Sequence, residues 1–306
     1  MDQPCSDKPV EIAAEGLVRS FGERKVLRGI DLRICAGDIA CIVGASGSGK
    51  TVLLDHLIGL MTPTAGRVLA ADHNAAPIVG PAGAAAPLRV LGELTEDALD
   101  LIRLHWAVVF QRNALFTGSV RDNIAFWLRE HTTTPEPEIE KREKIALESA
   151  ALDVSDVIDK DRDELSGGMA KRVAIARAIA CDPIVLFYDE PTTGLDPGIG
   201  AAIHELIFKL HNSPVGPGFE FKDLEGRKPL GRVGARRTTI IVTHDRELLR
   251  RIRPRVVLIH EGKVCFDGPY DDFEKSDLPE AKAYLIEMPV LQRGHISPRR
   301  QDRRRY

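Results

Sequence analysis

Gly44-Ala45-Ser46-Gly47-Ser48-Gly49-Lys50-Thr51 is the stretch whose reading decides the fold. It follows a continuous apolar run at 38–44 (DIACIVG), as a strand buried on both faces requires. It precedes a segment at 50–60 that reads as a helix ending near Pro63. In this context the pattern G-x-x-x-x-G-K-[ST] turns backbone N–H groups inward around phosphate oxygens, at the positive end of the helix. Lys50 is then placed to reach β- and γ-phosphates, and Thr51 to hold Mg²⁺. A plain glycine-rich turn with a surface lysine has no need of both flanks in register.

Composition narrows the rest. A chain of 306 residues suits one large domain or two ordinary ones. Its 43% apolar and 28% charged residues are those of a folded globular chain, which excludes disorder for most of it. Lys plus Arg at 42 against Asp plus Glu at 45 leaves a net charge of −3, so no global field draws it to nucleic acid. The run 299–306 is nonetheless strongly basic and reads as a solvated tail. The five cysteines are odd in number and widely spaced, without a C-x-x-C pair. That spacing argues against a disulfide framework or a zinc site and for reduced thiols. Met1-Asp2-Gln3-Pro4 lacks the start of a signal peptide, and no stretch is apolar enough to span a bilayer. The Ala-rich segment 74–94 comes nearest, but Pro77, Pro81 and Pro87 interrupt it. A soluble chain is expected.

Along the sequence, short strands at 10–13, 16–19 and 29–34 are separated by turn signals at Glu15-Gly16, Phe21-Gly22 and Ala36-Gly37. They predict an antiparallel N-terminal sheet. The segments 71–91 and 212–237 are rich in Gly, Pro and Ala or charge and read as irregular insertions. Helical periodicity covers 136–151 and 200–210, and buried strands are predicted at 184–188 and 238–242. A final hairpin is expected around Glu261-Gly262.

Two further motifs carry chemistry. Ile184 to Glu190 (IVLFYDE) is an apolar strand ending in two acids. Asp189 at such a tip suits the Mg²⁺ shell, and Glu190, on the other side of the pleat, suits polarising a water. Leu165-Ser166-Gly167-Gly168-Met169 opens a helix-like run at 170–180. Ser166 can cap it, and the glycines leave its first amides open to an anion.

With these motifs in order, the sequence resembles the ATP-binding subunit of an ATP-binding-cassette (ABC) transporter over about residues 10–270. LSGGM at 165–169 is similar to that family's signature, and GASGSGKT to its phosphate loop. YDEPTTGLDP at 188–197 resembles its metal-binding strand running into the D-loop, with Asp196 at the D-loop position. Gln111 in VVFQR stands at the Q-loop, and His244 in IIVTHD at the switch histidine. Phe21 in VRSFGERKVL lies where the family stacks an aromatic ring on adenine.

The resemblance implies an α/β fold: a P-loop NTPase (RecA-like) core, an N-terminal antiparallel β subdomain and an inserted α-helical subdomain at about 112–180. Residues 1–9 would be a flexible start and 271–306 a C-terminal extension. It implies ATP and Mg²⁺ as ligands, with Gly44, Ala45, Ser46, Gly47, Ser48, Gly49, Lys50 and Thr51 around the phosphates. Thr51, Gln111 and Asp189 would serve the metal, and Glu190, His244 and Gln111 the hydrolysis. Ser166, Gly167 and Gly168 would serve ATP held by a second subunit, so the implied partners are a second copy and a transmembrane permease. The place implied is the cytoplasmic face of the cell membrane.

Within the family, Phe110 to Phe116, Asn123-Ile124-Ala125 and Leu128 to His131 resemble ATPases of Mla/Mce-type lipid transporters, as does Met169 after the glycines. An Mce-type lipid-binding protein would then be a further partner, and 281–290 would dock on the neighbouring ATPase. Trp127, where Pro is common, and the insertions depart from that group. The alternatives are another importer or exporter ATPase, for example for amino acids, or a soluble ABC protein acting on nucleic acid. The second usually carries a long coiled coil or two cassettes, and neither appears here; no direct nucleic-acid partner is expected.

Overall fold

The computed structural model describes residues 8–80, 83–224 and 234–287. Strands β1 (Val10–Phe21) and β2 (Arg24–Cys35) form one long hairpin rather than three short strands. The expected turn at Glu15-Gly16 is a bulge: Gly16 sits at φ 56° and the register slips between Ala14 and Leu17. Glycine takes that left-handed position without strain, so the strand continues past it. The predicted phosphate-loop strand is β3 (Ile39–Val43), and the loop leads into α1 (Lys50–Leu57).

Strand β4 (Ala65–Ala71) pairs with the free side of β1. The segment beyond it is more ordered than its composition suggests. It forms a small hairpin, β5 (Ile78–Gly80) with β6 (Gly83–Ala85), and an edge strand, β7 (Leu88–Val90), which pairs with β4. The first sheet therefore runs β2-β1-β4-β7. Helix α2 (Glu96–Arg103), capped by Thr95, leads to β8 (Trp106–Val109).

A helical layer follows: α3 (Val120–His131), α4 (Glu136–Ser149), α5 (Val154–Val157) and α6 (Gly167–Ala180). Ser119 and Asp122 close a reciprocal capping box on α3, satisfying amides that the first turn leaves free. The chain returns to the second sheet as β9 (Val185–Asp189), α7 (Pro197–Asn212), β10 (Thr238–Val242), α8 (Arg246–Ile252) and β11 (Arg255–His260). It ends with β12 (Lys263–Pro269), α9 (Tyr270–Glu274) and α10 (Pro279–Glu287). Glu261 and Gly262 both take positive φ in the tight β11–β12 turn, as a two-residue hairpin loop requires.

The second sheet has the order β12-β11-β3-β10-β9-β8, parallel except for β12. Every residue of β9 and β10 is buried. Their alternating side chains feed two separate cores. Cys41, Val43, Leu186, Tyr188 and Ile241 face the helical layer, while Ala40, Ile42, Phe187, Ile240 and Val242 face α1 and the antiparallel sheet. Cys41, Cys181 and Cys265 are free thiols, but Cys35 is disulfide-bonded, which corrects the expectation that all thiols are reduced.

The 212–237 insertion is also partly ordered. Its neck is held by Pro214 bridging Arg236 and by a buried ion pair, Arg237 Nη2 to Asp182 Oδ1 at 2.5 Å. It then reaches the helical layer. Phe219 and Phe221 are buried and lie edge-on to Trp127 of α3, at 6.0 and 5.9 Å between centroids. Thr133 N–H donates to Glu220 O (2.9 Å), and Phe221 bridges Thr132. Trp127 and the insertion, two separate departures in the sequence, are thus one contact. Helix α10 packs on its own chain through Ala281 and Tyr284, so those residues are not free to dock on a neighbour. The N-terminal 1–7, the remainder of the proposed docking segment (288–290) and the basic tail 299–306 lie outside the described residues.

Phe221→Ala should cost about 3–5 kcal/mol of unfolding free energy, the usual loss for a buried Phe. Urea denaturation reads it directly, and an unchanged midpoint would contradict the packing.

Candidate functional site

Three parallel strands, β3, β10 and β9, end at one edge of the sheet, and the phosphate loop, the two acids and His244 lie at or just past those ends. The phosphate loop leaves β3 and folds tightly. Gly44 has φ 155°, and a Cβ there would sit 2.3 Å from Ile259 O and 2.7 Å from Ser48 Oγ. Gly49 has φ 104°, and its Cβ would meet Leu27 Cδ2 at 2.9 Å. Lys50 folds back across the loop, donating to Gly44 O (2.8 Å) and Ala45 O (2.9 Å). Burial lowers its pKa, opposed by the carboxylates of Glu190 and Asp189. Ala45, Ser46, Gly47 and Thr51 are exposed on the loop's open side.

Asp189, the last residue of β9, is buried, and its Oδ1 has no partner. Ser48 Oγ is likewise buried and unpartnered. Burial, then Glu190 and Asp55, raise the Asp189 pKa, while Lys171 and Lys50 pull it down. Buried polar atoms without partners are costly in a finished core, so these two mark a site built for something absent. Among the described residues no cluster of three or more His, Cys, Asp or Glu could hold a metal ion. The donor set here, one carboxylate with the Thr51 hydroxyl, instead suits Mg²⁺ that shares its shell with substrate phosphate.

Glu190 does not continue the pleat. It sits in a left-handed bend at φ 47°, held by its N–H on Val242 O (2.8 Å). A non-glycine residue there is strained, and the strain persists where surrounding bonds fix it. The bend brings Glu190 Oε2 to 2.8 Å from His244 Nδ1, just past β10. Thr193 Oγ1 donates to the same Glu190 oxygen at 3.2 Å.

Gln111 follows β8 and is exposed. Its carbonyl and that of Phe110 accept from Lys171 Nζ at 2.9 and 3.0 Å. Lys171, buried in α6, therefore ties the helix after the signature to the Gln111 loop, and its charge reaches Asp189. Ser166 caps α6 by accepting from Met169 N–H (3.3 Å); Ser166 and Gly167 are exposed. Gly168 is packed so closely that a Cβ would lie 2.6 Å from Ile199 Cδ1. Asp196 caps α7 through the Gly198 and Ile199 amides, both at 3.0 Å. Phe21 ends β1 at 45% exposure, with the Arg19 guanidinium 4.6 Å over its ring.

Sequence reasoning missed the residues behind this front. Asp245, next to His244, accepts from Thr192 Oγ1 (2.8 Å) and His204 Nε2 (2.8 Å) and caps α8. Lys171 belongs to the helical run but carried no signal of its contacts. Tyr284 of α10 donates to Thr243 O (3.3 Å), one residue before His244.

The ABC transporter family pattern matches residues 27–193. A chloroplastic protein of Arabidopsis thaliana, trigalactosyldiacylglycerol 3, is 30% identical over 282 residues, 90% of this chain and 73% of its own length. A probable ribonucleotide transport ATP-binding protein of Mycobacterium tuberculosis is 32% identical over 280 residues, 90% of this chain and 66% of its own. The chain thus spans only part of the relatives it matches. Among solved structures, a dimeric ATP-binding cassette in a post-hydrolysis state with ADP and Pi superposes with a TM-score of 0.65 at 26% identity. That match covers 85% of this chain and 98% of the cassette.

Asp245 supplies a pH test of the rear network. Burial would raise its pKa, but the hydrogen bond and charge of His204 and the Thr192 hydroxyl outweigh this and bring it to about 2. A depressed carboxylate contributes stability above its unfolded value, near 3.8, and loses it as pH falls through about 2. Asp245→Asn should therefore lose about 2 kcal/mol at neutral pH and flatten the acid limb of a stability–pH curve between about 4 and 2.

Proposed function

This chain belongs to the ABC transporter family, and from that premise we propose that it is the ATP-hydrolysing subunit of a membrane lipid transporter. Binding and hydrolysis of ATP come with the family. The contact that carries the catalytic reading is Glu190 with His244 at 2.8 Å, beside Lys50 at the phosphate loop.

In this reading the loop amides and Lys50 hold the β- and γ-phosphates, with Lys50 exchanging its two carbonyl bonds for phosphate oxygens. Asp189, Thr51 and Gln111 would hold Mg²⁺, which would offset negative charge on the phosphate oxygens. Glu190 orients and polarises the attacking water, and His244 fixes the Glu190 carboxylate and faces the γ-phosphate. Phe21 offers the free face of its ring to adenine, the other being covered by Arg19.

Ser166 and Gly167 are exposed and have their amides at the start of α6. In this reading they cradle the γ-phosphate on a second copy, with Gly168 shaping the turn and Asp196 on the same face. Two chains then enclose two nucleotides, a geometry supported by the dimeric cassette to which this chain is similar. Phe116 and Phe126, in ring contact at 5.2 Å with Phe126 half exposed, offer the permease an apolar seat beside the Gln111 loop. No helix among the described residues is long and apolar enough to cross a membrane; in this reading the chain reaches the membrane through that permease.

The lipid assignment is supported by the relative named for a galactolipid and by the 110–131 sequence. The name of the mycobacterial relative, a probable ribonucleotide transport protein, favours a second reading, transport of a polar solute. Copurification of a permease with bound lipid and an Mce-type protein would support the first; a permease with a soluble solute-binding protein and no lipid would sink it.

Glu190→Gln should lower ATP turnover roughly 10²–10⁴-fold while leaving ATP binding intact and trapping a dimer on gel filtration. Turnover within a few-fold of wild type would refute the role given to Glu190. Lys50→Ala should instead weaken nucleotide binding itself, read by fluorescence titration with an ATP analogue.

A further inference from the structure

His204 lies on α7 between Ile203 and the buried pair Leu206 and Ile207, and is 3% exposed. An aliphatic side chain would fill that place without the desolvation that an imidazole brings. Its Nε2–H is instead spent on Asp245 Oδ2, at 2.8 Å. The same oxygen accepts from Thr192 Oγ1 at 2.8 Å, and the other carboxylate oxygen accepts the amides of Glu247 (2.9 Å) and Leu248 (3.2 Å).

The position of this carboxylate in the chain gives it consequence. Asp245 follows His244 directly, and Thr192 stands two residues after Glu190. The two segments that carry the Glu190–His244 pair therefore meet on one part-buried oxygen, and α7 holds that oxygen from behind. The same helix begins at Asp196 and seats Ile199 against Gly168 of the signature turn.

We propose that His204 is a positioning residue for ATP hydrolysis: through Asp245 it locks the segment after Glu190 to the segment carrying His244, and so fixes the gap between the two side chains. The proposal rests on the hydrolytic reading of that pair. Hydrogen bonds to an ionised carboxylate are stronger than neutral ones, and each donor restricts its rotation. Losing the imidazole leaves Asp245 with fewer donors and lets the two segments drift, which affects the chemical step and leaves the phosphate loop untouched.

The test uses the full-length chain with Mg-ATP and separates kcat from KM. His204→Leu removes the donor but fills the space; His204→Gln keeps an N–H within reach. Expected for His204→Leu is a fall in kcat of about tenfold with KM for ATP within about twofold, and His204→Gln should restore most of it. Thr192→Val, which removes the other donor to the same oxygen, should also lower kcat, and should cost less in the His204→Leu background than alone. An unchanged kcat in His204→Leu overturns the proposal, as does a His204→Gln variant no better than Leu. Should His204→Leu not fold, full activity in Thr192→Val overturns it and a selective kcat loss supports it. An active Glu190→Gln would mark failure of the pair assignment itself; an inactive one beside a fully active His204→Leu confines the failure to His204.

Discussion

Parallel strands buried on both faces disfavour charged side chains along their length, so charged groups of the site collect at the strand ends. Strands β3, β9 and β10 are apolar or hydroxyl-bearing up to Asp189, the last residue of β9, and finish at one edge. Everything polar that the core excludes collects there: the amides and hydroxyls of 44–51, the carboxylates of Asp189 and Glu190, and the imidazole of His244. The Asp189 and Ser48 oxygens without partners mark where that concentration exceeds what the protein satisfies by itself. In the reading proposed above, substrate phosphates and a metal would supply the partners that these oxygens lack.

The strand order makes the edge work. β10 lies between β3 and β9, so the loop bearing His244 emerges between the phosphate loop and the acids. A bend at Glu190, not the pleat alternation, turns its carboxylate toward that histidine. The strain of a left-handed glutamate is opposed by its amide bond to Val242 O and by the Thr193 hydroxyl, both made by the residues that form the bend.

How much of this was legible depended on the range of each interaction. The phosphate loop, β3 and α1 were readable because a glycine loop between an apolar run and a helical one is a local pattern. The β11–β12 turn was readable for the same reason, since Glu261 and Gly262 adopt the positive φ that such a turn demands. Gly16 misled, because a bulge and a turn have the same glycine signal and differ only in what pairs alongside. The insertion at 212–237 looked irregular because its two aromatics answer to Trp127, some ninety residues earlier. Neither half of that contact carries periodicity. Asp245 and His204 were hidden likewise: one resembles an ordinary helix cap, the other a stray histidine on an apolar helix face.

The same distinction separates what one copy of the chain holds from what it offers. Lys50, Asp189, Glu190 and His244 face one another within a single chain. At the signature turn Ser166 and Gly167 are exposed, while Gly168 packs inward on Ile199 of α7 and Leu165 and Met169 pack on the core. A helix start kept bare on one side and rigidly braced on the other is suited to an anion brought from outside. The bracing runs through α7 to Asp245, so in the proposed dimer the surface offered to a second copy and the Glu190–His244 pair would share one helix. In the proposed dimer, docking of the signature turn and alignment of Glu190 with His244 would then draw on contacts made by the same helix, Ile199 to Gly168 and His204 to Asp245.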